Sequence, residues 1–366
     1  MMKSSTSKWR QALPGACLLW YSAITPAVSD PGVLFVSNRD GALQIYRIAA
    51  DGTGEARLTD SQGNNQPAWS PDGRRFAFTS VRDGNPEIYT ANADGSAVCR
   101  LTDNPAADVR PAWSPDGTQI AFVSGRQGRD DIWLMQADGS GQRLLTEVNG
   151  GLGGGRLIWS PDGSRLYFLM SVGTKHQVFS INADGSGLTD LTSAFSKGAK
   201  GEPDLSPDGQ WLVFTTTEER SPVNLVVMRA DGTEGRQITR AQGDNYSPRW
   251  SPDGRHIAFV SSRDDLVRSE IYVARPDGSE ARNVSLNPRD DFEPRWLDAR
   301  TVLFVSMRDP ITQLYTVDIA SPHPQRITRS QALELEPTPF VGGLLQAGPT
   351  SRMYSRVSPV LNRQLP

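Results

Sequence analysis

The chain has 366 residues, of which 22% are charged, with 34 glycines, 26 prolines and nine tryptophans. This much glycine and proline excludes a mainly helical protein, and nine tryptophans exclude a disordered chain. The formal net charge is -3, so no basic excess is available to bind phosphates, and we expect no nucleic-acid partner. Two cysteines are too few for a disulfide scaffold or a zinc cluster.

The first predicted element is an export signal. Residues 1–29 carry three basic side chains and no acid, and residues 12–24 form an apolar stretch. The small residues Ala27 and Ser29 then precede Asp30. This order is typical of a cleaved secretory signal, and thirteen apolar residues are too few to span a bilayer. We therefore predict a signal peptide over residues 1–29, a periplasmic or secreted location and no transmembrane segment in the mature chain.

A repeat of about 44 residues organises the chain that follows, and its landmark is the tetrapeptide Ser-Pro-Asp-Gly. Proline presets the first corner of such a turn, aspartate caps it, and glycine takes the position of positive φ. Five copies begin at Ser70, Ser114, Ser160, Ser206 and Ser251. Tryptophan precedes four copies and leucine the other, and each unit adds an apolar run such as "IAFVS" and further turn residues. These short apolar segments between turns indicate strands.

The repeat predicts a β-propeller. Its apolar runs do not alternate with polar residues, so we expect strands that are covered on both faces. Four antiparallel strands per unit are typical of a propeller blade. Residues 32–340 hold about seven such units, and six blades with a terminal appendage is the alternative. The chain enters at the second strand of a unit and ends on a first-strand pattern, so the last strand should complete the first blade. We predict an all-β, seven-bladed propeller over residues 30–340 and a disordered tail over residues 341–366.

The repeating unit "PxWSPDGxxIAFVSxRDGxxxIYxxxADGSGxxxLT" resembles the Trp-Asp-like repeats of the TolB family of periplasmic propellers. The resemblance covers most of the chain and implies a propeller that works in the cell envelope. The same repeats are also similar to those of peptidase gating propellers and of oligogalacturonate lyases. Proteins of the TolB family carry a separate N-terminal α/β domain. Here the repeat follows the predicted signal directly, so we expect the propeller without that domain.

Candidate binding residues are sought in the loops. In an up-and-down blade alternate connections share a face, so the Ser-Pro-Asp-Gly and Asp-Gly turns form one face, which we call the turn face. The loops after each second strand and between blades form the other, which we call the loop face. The loop face has the longer and more variable loops, and binding residues concentrate in such loops. We therefore expect the binding site on the loop face.

Two sets of residues fall on the predicted loop face. The first is an incomplete ring of amide and carboxylate side chains near the channel mouth, each five residues before a first-strand aromatic position: Asn64, Asp108, Asn245 and Asp291. Such oxygens suit a calcium-like cation or the donor groups of a peptide or sugar, and no other cofactor is indicated. The alternative is that these residues only cap the turns before each strand.

The second set is basic. Arginine occupies the equivalent position of an "SRD"-like motif in several units: Arg39, Arg82, Arg126, Arg263 and Arg308. The fourth unit departs from this pattern and brings Lys175 and His176, and the next loop between blades brings Lys197 and Lys200. Together these groups would attract an acidic partner or a uronate-type sugar. The alternative is ordinary solvated loops, or Arg-Asp pairs that stabilise them.

Searches for catalytic motifs are nearly empty: the chain has no G-x-S-x-G motif, and its histidines lack metal-ligand spacing. The leading hypothesis is an exported, monomeric, non-enzymatic propeller that binds a protein or cell-envelope component through its loop face. One alternative is a lyase or hydrolase of acidic carbohydrate, with His176 as the base. Another is a regulatory propeller that works with a peptidase.

Overall fold

Turn residues at regular spacing divide the chain into short strands. The structure, a computed structural model, describes residues 31–147, 151–218, 221–240 and 243–341, so the predicted signal peptide and nearly all of the predicted tail lie outside the described residues. Within those ranges the chain forms 28 strands in seven four-stranded antiparallel sheets, and no helix. The prediction of a seven-bladed, all-β propeller is confirmed, and the six-bladed alternative is wrong. The described ranges accordingly contain no helix that is long and apolar enough to cross a membrane.

Blade 1 closes the ring because it combines the two ends of the described chain. Its innermost strand comes last in sequence and pairs with the first strand of the chain, as the repeat phase predicts. Blade 1 consists of β28 (Glu334–Pro339), β1 (Val33–Ser37), β2 (Gln44–Ile48) and β3 (Ala56–Arg57). This pairing gives β1 a neighbour on both sides and places β28 in the innermost position of the blade.

The other six blades are continuous in sequence and run from the innermost to the outermost strand. Blades 2 and 3 consist of β4 (Asn64–Trp69), β5 (Arg75–Ser80), β6 (Glu87–Asn92), β7 (Cys99–Arg100), β8 (Asp108–Trp113), β9 (Gln119–Ser124), β10 (Asp131–Gln136) and β11 (Arg143–Thr146). Blades 4 and 5 consist of β12 (Ile158–Trp159), β13 (Arg165–Val172), β14 (Lys175–Asn182), β15 (Thr189–Asp190), β16 (Ala199–Leu205), β17 (Trp211–Thr217), β18 (Asn224–Arg229) and β19 (Arg236–Gln237). Blades 6 and 7 consist of β20 (Asn245–Trp250), β21 (Ile257–Ser261), β22 (Glu270–Ala274), β23 (Arg282–Asn283), β24 (Asp291–Trp296), β25 (Thr301–Ser306), β26 (Gln313–Asp318) and β27 (Ser321–Arg326).

The core lies between the blades, on both faces of the middle strands. Every residue of the second strands β1 and β21 is buried, as expected for strands covered on both sides. The outermost strands β3 and β19 are exposed. Innermost strands of neighbouring blades contact one another and line the central channel.

The repeated tryptophans tie one blade to the next. Trp159 is buried, and its indole Nε1 donates a hydrogen bond to the carbonyl of Ala112 in the preceding blade, at 3.1 Å. Trp113 and Trp296 make the same bond to their own preceding blades, at 3.2 and 3.0 Å. These buried tryptophans therefore form part of the core between the blades.

Candidate functional site

The repeated arginines of the loop face hold the loops to the ends of the blades. We call them the loop arginines: Arg39, Arg82, Arg126, Arg263 and Arg308. In each of them Nε donates a hydrogen bond to the serine that ends the second strand of the blade. Each guanidinium also lies 4.3–4.8 Å from the ring centre of a tyrosine or tryptophan on the third strand. Such stacking stabilises the loop in a fixed position.

The predicted ring of amides and carboxylates turns out to be the other half of this contact. Nη2 of Arg126 bonds to Asp108 at 2.6 Å, and Nη2 of Arg308 bonds to Asp291 at 3.2 Å. Asparagine replaces the acid in blades 2 and 6, where the bonds are 3.3 and 3.0 Å long. The four first-strand partners are fully buried: Asn64, Asp108, Asn245 and Asp291. The structure therefore places the two predicted sets together inside the blades, in the arrangement of the loop-stabilising alternative.

Burial dominates the electrostatics of these pairs. It raises the pKa of the Asp108 carboxyl, and the nearby Arg126 guanidinium opposes that rise. Burial likewise raises the pKa of Asp291, and Arg308 opposes the rise there. In the described part of the chain, no group of three or more His, Cys, Asp or Glu side chains is arranged to hold a metal ion. The calcium-like cation and the binding roles of these residues stay predictions.

The three lysines do come together, where blades 4 and 5 meet on the loop face. Nζ of Lys175 donates to the carbonyl of Lys197 at 2.6 Å, across the two loops. Lys200 is buried at the start of β16, and its Nζ donates to Ser196 and Gly198 in the loop that precedes this strand. Burial lowers the pKa of Lys200. Lys200 therefore stabilises the loop, whereas Lys197 is exposed and Lys175 half-buried, so only these two present charge to a partner.

His176 lies on the third strand of blade 4, where it faces Ser171 on the second strand in the register of the sheet. The Nδ1 of its ring is 3.1 Å from Oγ of Ser171. The ring extends toward the innermost part of the blade, because it packs against Gly153, whose backbone N–H bonds to the carbonyl of Leu169 on the second strand at 2.9 Å. The structure thus places His176 beside the innermost segment of blade 4, and its role as a base stays a prediction.

Most of the exposed large apolar side chains lie on the loop face, and the candidate residues predicted from the sequence do not include them. Seven large hydrophobic residues of the described chain are exposed. Five belong to connections of the loop face: Val81, Val172, Leu266, Val267 and Leu286. Two belong to the turn face: Val98 and Leu188. Three of the five come from blade 6 alone, and the unbroken "LV" pair inside the polar loop "RDDLVRSE" is the sequence signal that points to them.

The two loops of blade 6 hold these apolar side chains in fixed positions. Leu266 and Leu286 have φ angles of +63° and +47°, a conformation that costs a branched residue free energy. Asp264 ties its loop to the two outer strands of the blade, because it accepts a hydrogen bond from Asn283 on β23 at 3.0 Å and another from Tyr272 on β22 at 2.6 Å. We call Leu266, Val267 and Leu286 the blade 6 patch, and their exposed fractions are 57%, 82% and 60%.

Sequence comparison connects the chain with known propellers. The family model described as the TolB beta propeller domain matches residues 60–243 and 203–343. The Tol-Pal system protein TolB of Desulfosudis oleivorans is 39% identical over 56 residues, which are 15% of this chain and 13% of that protein. The chain thus aligns with only a small part of the length of this curated relative.

Two solved structures share the fold. TolB from Acinetobacter baumannii superposes with a TM-score of 0.54 at 17% identity, over 81% of this chain and 78% of that one. An oligogalacturonate lyase from Vibrio parahaemolyticus superposes with a TM-score of 0.61, also at 17% identity, over 78% and 84% of the two chains. At this level of identity the likeness shows the propeller fold and does not choose between the functions of the two proteins.

Proposed function

Since the chain belongs to the family of TolB β-propeller domains, we propose that it is an exported, non-enzymatic propeller that binds a protein partner of the cell envelope through its loop face. The blade 6 patch is the observation that carries the proposal, because it exposes three large apolar side chains within one blade. The order of charged, apolar and small residues in positions 1–29 supports export.

Apolar exposure in this form favours a protein ligand. Single exposed hydrophobic residues are ordinary on a protein surface, whereas neighbouring ones mark interaction sites. The positive φ angles of Leu266 and Leu286 make the exposure costly in conformation as well as in hydration. Burial of these side chains against a partner would recover the hydration cost, at roughly 25 cal/mol per Å² of apolar surface.

The neighbouring blades add charge to this surface. Lys175 and Lys197 lie on the loop face of blades 4 and 5, and blade 5 packs directly against blade 6. Charges at the rim of an interface mainly accelerate association and select partners of opposite sign. The partner that fits best therefore presents an apolar segment flanked by acidic residues.

The experiment compares the two faces of the ring. The full chain with a C-terminal tag is produced in its source cells, recovered from the periplasm, and its first residue is identified by mass spectrometry. We expect the chain to begin near Asp30 and to capture a defined envelope protein. The triple variant L266S/V267S/L286S should capture at least tenfold less of that protein, because central apolar contacts dominate binding.

The matched control is V98S/L188S, which removes exposed apolar side chains from the turn face and should capture as much partner as the wild type. A second variant, K197E, should slow association, because it changes an exposed side chain and keeps both the backbone carbonyl that Lys175 bonds and the contacts of Lys200. Equal capture by all variants would contradict the proposed binding face. A chain that keeps Met1 and stays in the cytoplasm would contradict export.

A further inference from the structure

The central channel widens into a cavity at the turn face. The cavity has a volume of about 160 Å³, several times the space that one water molecule needs. The ends of the innermost strands and the Ser-Pro steps of the turns line its wall, with tryptophans such as Trp159 and Trp296 among them. Its charged lining is mainly basic, because Arg156, Arg249 and Arg295 border it together with one acidic residue, Asp204.

Two of these arginines lack partners for part of their hydrogen-bonding capacity. Arg249 and Arg295 are only 3% and 6% exposed. Nη1 of each bonds to the carbonyl of the proline that precedes it. Nε and Nη2 of Arg249 and Nη2 of Arg295 are buried and have no hydrogen-bond partner within the described protein. Buried donors normally have partners, so these three nitrogens are free to donate hydrogen bonds to a ligand or to ordered water in the channel.

The acidic groups of the channel do not supply the missing partners. Asp204 is held by Arg156 at 2.6 Å and by the backbone N–H of Trp250 at 2.8 Å. Glu202 accepts the backbone N–H of the equivalent residue in blade 6. Glu293 accepts the backbone N–H of the equivalent residue in blade 1, at 3.1 Å. Each carboxylate is therefore already bonded, and none forms an ion pair with Arg249 or Arg295 in the described ranges.

The three guanidiniums lie close enough to repel one another. Burial, followed by Arg156 and Arg295, holds the pKa of Arg249 well below its usual range. Burial and Arg156 lower the pKa of Arg295 to about 10. Nearby carboxylates, Asp204 and Glu202 at Arg249 and Glu293 at Arg295, oppose these shifts without reversing them. A further opposite charge that bonds directly to the guanidiniums would therefore be favourable.

We propose that the turn-face end of the channel is an oxyanion site, in which Arg249 and Arg295, with Arg156 beside them, bind a carboxylate or phosphate carried on an aromatic or other apolar body. The planar guanidinium fork matches both kinds of oxyanion. The tryptophan and proline side chains at the mouth would pack against the apolar body while the anion reaches the arginines. This site is separate from the loop face, because it opens at the opposite end of the channel.

Isothermal titration calorimetry of the full chain with benzoate, phenyl phosphate and benzamide tests the proposal at constant ionic strength. The two anions should bind, and neutral benzamide should bind at least tenfold more weakly, since it offers no charge to the arginines. Tighter binding of benzoate would identify a carboxylate site, and tighter binding of phenyl phosphate would identify a phosphate site.

The variants R249M and R295M should each lose at least tenfold in affinity for the tighter-binding anion. R255M changes an exposed turn-face arginine outside the cavity and should bind like the wild type. Thermal unfolding shows that the variants fold, and we expect R249M to melt close to the wild type, because it removes a buried charge that forms no ion pair within the described ranges. The proposal would be overturned if neither anion binds, or if R249M and R295M bind the anion as tightly as the wild type does.

Discussion

Arg126→Met is expected to lower the free energy of unfolding by about 3 kcal/mol, because it leaves the Asp108 carboxylate buried without its cation. Methionine also removes the guanidinium that stacks on Trp133 and bonds to Ser124, so the effect of the charge is isolated by comparison with an arginine that has a neutral partner. Chemical denaturation measures the change as a lower midpoint at an unchanged slope.

Blade 2 provides a matched control, because Arg82 makes the same contact to a neutral partner, Asn64. Arg82→Met should lower the free energy of unfolding by only about 1–2 kcal/mol, because it loses hydrogen bonds to Ser80 and Asn64 and the stacking on Tyr89 but leaves no buried charge behind. Adding D108N to R126M copies the neutral partner and should recover most of the difference. If R126M lowers the free energy of unfolding no more than R82M does, the buried Asp108 carboxylate is not stabilised by Arg126.

Glu336→Gln should raise the free energy of unfolding by about 3 kcal/mol at pH 8 and change that free energy little near pH 4. Burial, and then the neighbouring Glu293, raise the pKa of Glu336 from 4.5 to about 7. The pKa of Glu336 is thus higher in the folded state than in the unfolded state. Between about pH 4.5 and pH 7 the folded state keeps a proton on this carboxyl that the unfolded state has lost. The contribution of the protonated carboxyl to the free energy of unfolding is fully present below about pH 4.5 and is lost as the pH rises through about 7. Glutamine still accepts the hydrogen bond from the backbone N–H of Gln66, which Glu336 accepts at 2.7 Å.

Denaturation midpoints of the wild type and E336Q between pH 4 and pH 8 measure this difference. Gln66 shows that the substitution fits, since it accepts the same bond from Arg110 in the next blade, at 2.9 Å. The control E147Q changes an exposed carboxyl and should leave the wild-type pH profile unchanged. Parallel profiles for the wild type and E336Q would contradict a folded-state pKa near 7.

The sequence predicts most of the fold because its turn residues are dictated by local geometry. Gly73 follows Asp72 at a φ of +66°, and Asp72 accepts hydrogen bonds from Ser70 and from the backbone N–H of Arg74. These demands recur in each Ser-Pro-Asp-Gly turn, so the repeat length and the blade number follow from the turns. Ring closure follows from the phase, since "LEPTPF" has the pattern of a first strand.

The sequence predicts which residues lie on the loop face, but it does not directly show that the loop arginines bond to the first-strand amides and carboxylates. The repeat does contain the information, because the units with asparagine or aspartate at the first-strand position also carry the loop arginine. Blade 4 has Gly154 and blade 5 has Lys200 there, and both blades lack that arginine. Such correlated change between units indicates contact between the two positions rather than two separate ligand sets.

The sequence does not identify the channel arginines, Arg249 and Arg295, for a different reason. Gln66, Ser247 and Glu293 adopt φ angles of +52°, +52° and +53° within the innermost strands, where the pairing register shifts. A bulge of this kind changes which side chains face the channel. A simple alternation of faces along the strand therefore does not show that Arg249 and Arg295 border a cavity.

Site-specific photo-cross-linking tests the binding face most directly. A photoreactive amino acid at position 267, in the blade 6 patch, is compared in source cells with the same amino acid at position 98 on the turn face. The account predicts a cross-link to one discrete envelope protein from position 267, and none to that protein from position 98. A cross-link from position 98 alone, or none from position 267, would contradict binding through the loop face.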